Sequence, residues 1–132
     1  MRKSVPVGEG SHHNKILGVR GEDLAAAYLE RLRYRIIDRN FRCRGGEVDI
    51  VARDGKTLVF VEVKTRRTAG YGVPQLAVTP FKQRQISKAA LAWLTRKGML
   101  DVNARFDVIA ITILSPDAPR IEHITNAFEL AY

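Results

Sequence analysis

The sequence has little cysteine and no long apolar run. Its one cysteine, Cys43, excludes an intrachain disulfide, and no Cys or His stands nearby at the spacing of zinc ligands. No stretch approaches the roughly eighteen apolar residues that span a bilayer, and the N-terminus lacks the apolar core of a signal peptide. These absences predict a cytoplasmic protein that does not enter the membrane.

Negative charge is also in short supply. The chain has 22 Lys and Arg residues against 14 Asp and Glu, which gives a formal net charge of +8. Such a surplus predicts attraction to polyanions, with nucleic acid as the first partner and acidic membrane surfaces as the second. The arginines crowd residues 31–44 and flank the acidic residues described below, which favours a phosphate track over a merely solvated surface.

The length of 132 residues predicts a single domain with one core. Residues 1–14 lack apolar periodicity and are expected to form a flexible tail, so the domain would cover residues 15–132. Helical periodicity predicts a first helix from Leu17 to Leu32, and Thr79, Pro80 and Gly98 bound a second one. Five strand-like segments complete an α/β fold, with a central mixed sheet flanked by helices. They are Tyr34–Phe41, Glu47–Arg53, Thr57–Lys64, Phe106–Leu114 and Arg120–Ala127.

Three ionisable residues interrupt two strands that are otherwise typical of a buried hairpin. Asp49 lies in the first strand, Glu62 and Lys64 lie in the second, and Asp54-Gly55 is a turn signal between them. A loop of Asp54-Gly55 alone would place Asp49 diagonal to Glu62, whereas a loop of residues 54–57 would place the two face to face. Both registers bring the carboxylates to one side of the sheet.

The two carboxylates suit one divalent cation. Their Cβ atoms would be about 5 to 8 Å apart, which oxygen ligands at about 2.0 to 2.6 Å from Mg²⁺ or Mn²⁺ can bridge. Like charges in an apolar sheet resist ionisation unless a cation offsets them. Lys64 would supply an ammonium on the same strand face as Glu62, where it can orient a water and stabilise charge on a phosphate.

An acid on one strand followed by Glu-x-Lys on the next resembles the active-site signature of the restriction-endonuclease-like superfamily, the PD-(D/E)xK nucleases. The wider pattern resembles the YraN family of small bacterial proteins, which is related to Holliday junction resolvases. It covers roughly residues 15 to 113 and departs from the superfamily signature in one place, where Val48 stands before the first acid instead of proline. The matching segments are Gly21–Ala26, Arg39–Arg42, Gly46–Val51, Phe60–Arg66, Gly72–Pro74, Lys82 and Arg105–Ile109.

This resemblance implies a restriction-endonuclease-like fold and a metal-dependent nuclease that cuts DNA, branched DNA in particular. Carried over by position, it implies a catalytic set in which Asp49, Glu62 and Glu22 hold Mg²⁺ or Mn²⁺ and Lys64 positions the attacking water. Because a resolvase needs two active sites, it also implies a homodimer. Residues expected to contact nucleic acid are Arg42, Arg44, Arg66, Arg67 and Lys82.

Several interpretations stay open beside this one. Glu22 also suits the positive end of the first helix dipole, a role worth about 0.3 to 1 kcal/mol. Glu47 is a candidate for supporting the metal ligands from outside, and Asp107 is better explained by an ion pair with an arginine than by catalysis. Trp93 is expected in the core of the second helix, and His123 on the surface of an edge strand. The main rival is a nucleic-acid-binding module that retains the fold without turnover, and the intact acid and Glu-x-Lys set argues against it. A basic adaptor on membrane or ribosome has no motif behind it.

Overall fold

The computed structural model describes residues 7–67, 78–113 and 118–131, with side chains from residue 18 onward. Two helices and five strands make up this part of the chain, so the predicted α/β class is confirmed. In chain order they are α1 (Val7–Arg31), β1 (Arg35–Cys43), β2 (Gly46–Asp54), β3 (Thr57–Arg66), α2 (Pro80–Lys97), β4 (Ala104–Thr112) and β5 (Arg120–Phe128).

The strands form one mixed sheet in the order β1-β2-β3-β4-β5. Neighbouring strands are antiparallel except β3 and β4, which run parallel. Parallel neighbours need a long crossover, and α2 lies within that connection. β3 is therefore a central strand between two partners, and its residues 58–62 are all buried, as expected from its apolar sequence.

The helices cover opposite faces of the sheet. α2 packs with Val51 and Phe60 in one core cluster, whereas α1 packs with Ile50 and Val59 in another. Consecutive residues of a strand point to opposite faces, so each strand supplies both clusters. Trp93 lies in the α2 cluster with only 2% of its surface exposed, which confirms its assignment to the core.

The ends of α2 agree with prediction, but the start of α1 does not. The Thr79 hydroxyl accepts the Lys82 backbone N–H at 3.2 Å, and Gly98 closes the helix in the left-handed conformation at φ 64°. α1 begins at Val7, ten residues before the predicted start. Extension of a packed helix adds one hydrogen bond per residue fixed, and no proline after Pro6 prevents it. Residues 1–6 of the predicted tail lie outside the described residues.

A buried polar network joins β4, β5 and α1. Asp107 is fully buried and accepts from Arg105 Nε at 3.0 Å, from His123 at 2.8 Å and from the Asn126 N–H at 3.0 Å. The expected arginine partner of Asp107 is confirmed. His123 was expected on the surface, but its side chain is only 7% exposed, because α1 covers this end of β5 and Tyr28 hydrogen-bonds the imidazole.

In the part of the chain that the structure describes, neither helix is long and apolar enough to cross a bilayer.

Candidate active site

The hairpin of β2 and β3 brings Asp49 and Glu62 together. Ile50 pairs with Val61 and Asp54 pairs with Thr57, so continuing this register sets Asp49 opposite Glu62. Of the two registers left open by the sequence, this is the one that places the acids face to face. The turn itself is Gly55-Lys56, because Asp54 and Thr57 belong to the strands.

An irregularity in the sheet directs the Asp49 side chain. Arg39 pairs with Ile50 and Phe41 pairs with Val48, while Asn40 between them has φ 54°. Val48 packs in the same core cluster as Val51, three residues on, so the strict alternation of faces is broken at Asp49. The carboxylate of Asp49 accepts the backbone N–H of Val63 at 2.7 Å. A side chain thus continues the β2–β3 pairing beyond the last backbone pair.

Glu62 is a carboxyl group in an apolar setting. The residue is 3% exposed, and its Oε1 is buried without a hydrogen-bond partner among the residues that the structure describes. Burial raises the pKa of Glu62 to about 8, and the neighbouring charge of Asp49 acts in the same direction. The ammonium groups of Lys82 and Lys64 oppose this rise, so both lie close enough to affect Glu62 electrostatically.

Lys82 is the nearest cation to the acid pair. Its Nζ lies 3.2 Å from Glu47 Oε1 and 3.8 Å from Glu62 Oε2, and its side chain is 24% exposed. The sequence placed Lys82 on the outer face of α2 as a nucleic-acid contact. The structure turns it towards the sheet. The sequence contained one signal for this position, because Lys82 lies in the first turn of α2. A cation there is disfavoured by the positive end of the helix dipole, so it gains from a nearby carboxylate.

Lys64 and Arg66 follow Glu62 on the same strand face, which is the face that α2 covers. Lys64 is partly exposed. Arg66, predicted to contact nucleic acid, lies 3.6 Å from Glu122 Oε1 and donates to Thr112 Oγ1 at 3.2 Å. Its guanidinium is therefore held against β4 and β5, and its side chain is only 22% exposed.

Glu22 approaches from the other face of the sheet. Its Oε1 accepts from Arg39 Nε at 3.1 Å and from Asn40 Nδ2 at 3.0 Å. Asn40 lies in the stretch of β1 that faces Asp49, one strand spacing away. Among the described residues, no three His, Cys, Asp or Glu side chains form a metal-binding group, so the structure does not join Glu22 to the pair as a third ligand.

The remaining predicted contacts and Glu47 lie around this site. Glu47, the supporting candidate, bridges Lys82 and Arg42, whose Nε is 3.5 Å from Glu47 Oε2. Arg42 is nonetheless 76% exposed. Arg44 and Arg67 are also exposed, one after β1 and the other after β3. The side chains of these three arginines therefore reach solvent.

The acid pair fits a divalent cation by its chemistry. Within the described residues Glu62 Oε1 has no hydrogen-bond partner, so this oxygen is available to another ligand. One oxygen of the neighbouring Asp49 carboxylate accepts the Val63 N–H. A cation would also relieve the repulsion that raises the pKa of Glu62. Mg²⁺ commonly takes one or two carboxylates and completes its shell with water and phosphate, so two protein ligands are sufficient.

Comparisons with known proteins agree with one another. Residues 21–111 match the model of the Uncharacterised protein family UPF0102, the family of the YraN proteins. UPF0102 protein GSU0650 of Geobacter sulfurreducens is 99% identical over 97% of this chain and 100% of its own length. A UPF0102 protein of Geobacter metallireducens is 71% identical over 92% of this chain and 99% of its own. UPF0102 protein RHA1_ro06551 of Rhodococcus jostii is 53% identical over 88% and 98%.

Proposed function

The chain belongs to the uncharacterised protein family UPF0102, and from the residues of its own site we propose that it is a metal-dependent nuclease that hydrolyses phosphodiester bonds in DNA. The observation that carries the proposal is the pairing of partly buried Asp49 with buried Glu62, whose Oε1 has no hydrogen-bond partner within the described residues. The preference for branched DNA and the kinship with the restriction-endonuclease-like superfamily come from the sequence resemblance and are part of the proposal.

Each residue has a distinct task in this reaction. Asp49 and Glu62 would hold Mg²⁺ or Mn²⁺, which when bound supplies Lewis-acid activation of a water and of the phosphate. Lys64, on the same strand face as Glu62, orients the attacking water and offsets negative charge developing on the phosphate oxygens. Lys82 holds Glu62 and Glu47 in place, with Nζ distances of 3.8 and 3.2 Å.

Substrate binding follows from the exposed cations. Three exposed arginines precede or follow the acid pair in sequence, namely Arg42, Arg44 and Arg67. Contacts from such side chains to backbone phosphates release counterions, so binding is expected to weaken steeply as salt rises. Glu22 would support the metal site through Asn40 and Arg39, which connect it to the irregular stretch of β1 beside Asp49.

The direct test is cleavage of branched and linear DNA by the purified protein in Mn²⁺. Cleavage by the wild type that falls at least 100-fold in Asp49→Asn and in Lys64→Ala supports the proposal. Lys56→Ala is the matched control for Lys64→Ala, because Lys56 lies in the exposed turn of the same hairpin and its replacement removes the same positive charge. Cleavage that survives Asp49→Asn would contradict the proposal and indicate a contaminating nuclease.

The alternative is a nucleic-acid-binding module without turnover. One observation favours it: Lys82 already supplies a positive charge to Glu62 and Glu47 from within the chain, so the acids are partly neutralised without metal. This module would bind DNA in a salt-sensitive manner, show no cleavage in Mn²⁺, and bind equally well in the Asp49→Asn variant.

A further inference from the structure

A second cluster of positive charge lies towards the turn of the β2–β3 hairpin, away from the acid pair. Arg35 of β1 and Arg53 of β2 are direct cross-strand partners. Like charges at directly opposed positions of a sheet repel and destabilise the pairing. Lys97, the last residue of α2, lines the same cavity as both arginines. Three cations therefore converge on one space.

No acid compensates this cluster. Among the described residues, none of Arg35, Arg53 and Lys97 forms an ion pair, and the Nε of Arg53 is buried without an acceptor. The carboxylate of Asp38 is engaged elsewhere, because it accepts the Trp93 indole N–H at 3.2 Å and the Arg39 backbone N–H at 2.9 Å. A buried N–H donor of a charged group that has no acceptor lowers the stability of the folded protein.

The cavity has the size of a small ligand site. Its volume is about 330 Å³, and its walls also include Ile36, Trp93 and Met99. Small-ligand pockets begin near 300 Å³, which leaves room for a phosphate and its attached sugar. Lys97 by itself is explained by the helix dipole, which favours a cation in the last turn. That explanation does not extend to an opposed arginine pair on two strands.

We propose that the cavity of Arg35, Arg53 and Lys97 binds a backbone phosphate of a nucleic acid. The planar guanidinium group presents paired N–H donors that match phosphate oxygens. Two guanidinium groups that project from paired positions of neighbouring strands form a clamp when an anion lies between them. The bound phosphate would remove both the repulsion and the unpaired donor at Arg53.

The position of this clamp relative to the acid pair sets a length. α2 carries Lys82 beside Glu62 in its first turn and Lys97 at its end, and the rise between these residues is about 22 Å. At a rise of about 3.4 Å per base pair along the axis of B-DNA, a duplex lying parallel to α2 would have the clamped phosphate roughly six base pairs from the acid pair. This spacing rests on the proposed function, whereas the clamp itself does not.

The single tryptophan of the chain makes the test specific. Trp93 lines the cavity, and Lys97 Nζ lies 5.7 Å from its ring centroid, so an anion that draws Lys97 away changes the fluorescence. Metal-free protein in EDTA is titrated with a short duplex DNA and, separately, with inorganic phosphate. We expect the duplex to change Trp93 emission, with affinity at least 10-fold weaker in Arg35→Gln and Arg53→Gln. Arg120→Gln, which removes the same charge from an exposed position on β5, should bind as the wild type does.

The salt dependence of duplex binding gives a second readout. In Arg35→Gln the slope of log K against log salt should become shallower by the amount that corresponds to about one phosphate contact. In Arg120→Gln the slope should stay as in the wild type. Arg35 is exposed, so Arg35→Gln is expected to fold and to test the clamp even if Arg53→Gln does not fold. Emission that does not respond to the duplex, or responds to inorganic phosphate alone, overturns the assignment. Because no metal or turnover is involved, loss of the nuclease proposal would leave this test intact.

Discussion

At the level of single residues, Glu62 is where burial and charge conflict most strongly. Its pKa is raised from 4.5 to about 8, so the folded protein holds a proton that the unfolded chain releases above pH 4.5. Stability contributed at this position is therefore full below pH 4.5 and declines as the pH rises to about 8. A cation bound at the acid pair would favour the ionised form of Glu62 and lower its pKa.

We predict that Glu62→Gln abolishes this decline. In EDTA, the free energy of unfolding of the wild type should fall relative to the variant by a few kcal/mol between pH 5 and pH 8, since one pKa unit corresponds to about 1.4 kcal/mol. Urea denaturation at a series of pH values measures both proteins. A wild type and a variant with parallel pH profiles would show that Glu62 is ionised at neutral pH without help from metal.

The residue types of the site were accessible from the sequence, but their contacts were only partly so. Asp49 and Glu62 stood out because charged residues interrupt apolar strands, and the period of two placed them on one side. For Lys82 the sequence offered only the signal of a cation in the first turn of a helix, because its contact with Glu62 depends on how far α2 lies along the sheet. His123 was misjudged for a similar reason, since an edge strand looks exposed until α1 is packed against it.

At the level of elements, α1 packs closely against β3 at one glycine. A Cβ atom built on Gly21 would overlap the Thr65 hydroxyl, whereas one built on Gly18, a turn earlier, meets no atom within 4 Å. The absence of a side chain at Gly21 thus allows the helix to lie on the strand that carries Glu62 and Lys64. At Gly18 it only lowers helix propensity.

We predict opposite effects of alanine at these two positions. Gly18→Ala should stabilise the protein by about 0.5 to 1 kcal/mol through helix propensity, and Gly21→Ala should destabilise it by about 1 to 3 kcal/mol through overpacking. Thermal unfolding of both variants measures the difference. Thr65→Ala should partly rescue Gly21→Ala, and equal effects at both glycines would exclude close packing as the cause.

Asp107 holds two strands and a helix together, so its loss should be costly. Burial alone would raise the pKa of Asp107, but hydrogen bonds from His123, Arg105 and Asn126 outweigh it and lower the pKa below 3.8. Its contribution is therefore complete above pH 3.8 and is lost as the pH falls through the lower value. At pH 7, Asp107→Asn should cost about 3 kcal/mol of unfolding free energy. The exposed Asp101→Asn should change it by less than about 0.5 kcal/mol.

The elements themselves were largely predictable. The caps of α2 are local chemistry, so both of its ends were predicted correctly, and each strand end was placed to within two residues. The irregularity at Asn40 was not predictable, because a positive φ in a strand reflects the demands of three neighbouring segments. The early start of α1 was missed because the residues before Leu17 lack the apolar periodicity that predicts a helix.

At the level of the whole molecule, stability and metal binding are coupled if the acid pair holds an ion. Binding to the folded state alone stabilises a protein by about 2.7 kcal/mol at a free concentration 100 times the dissociation constant. We predict that Mn²⁺ raises the melting temperature of EDTA-treated protein, that EDTA reverses the change, and that Asp49→Asn abolishes it. Asp101→Asn should respond as the wild type does. An equal rise in Asp49→Asn would assign the ion to another part of the chain.

The hydrogen bond from Val63 N–H to Asp49 has a consequence of its own. One amide proton at the mouth of the hairpin is protected by a carboxylate instead of a neighbouring carbonyl, and its exchange with solvent reports where that carboxylate points. A ligand that recruits Asp49 away from β3 accelerates exchange at this proton, whereas a ligand that uses only the second oxygen leaves it slow. A single resonance in an NMR spectrum therefore distinguishes a preformed cradle from one that rearranges on loading.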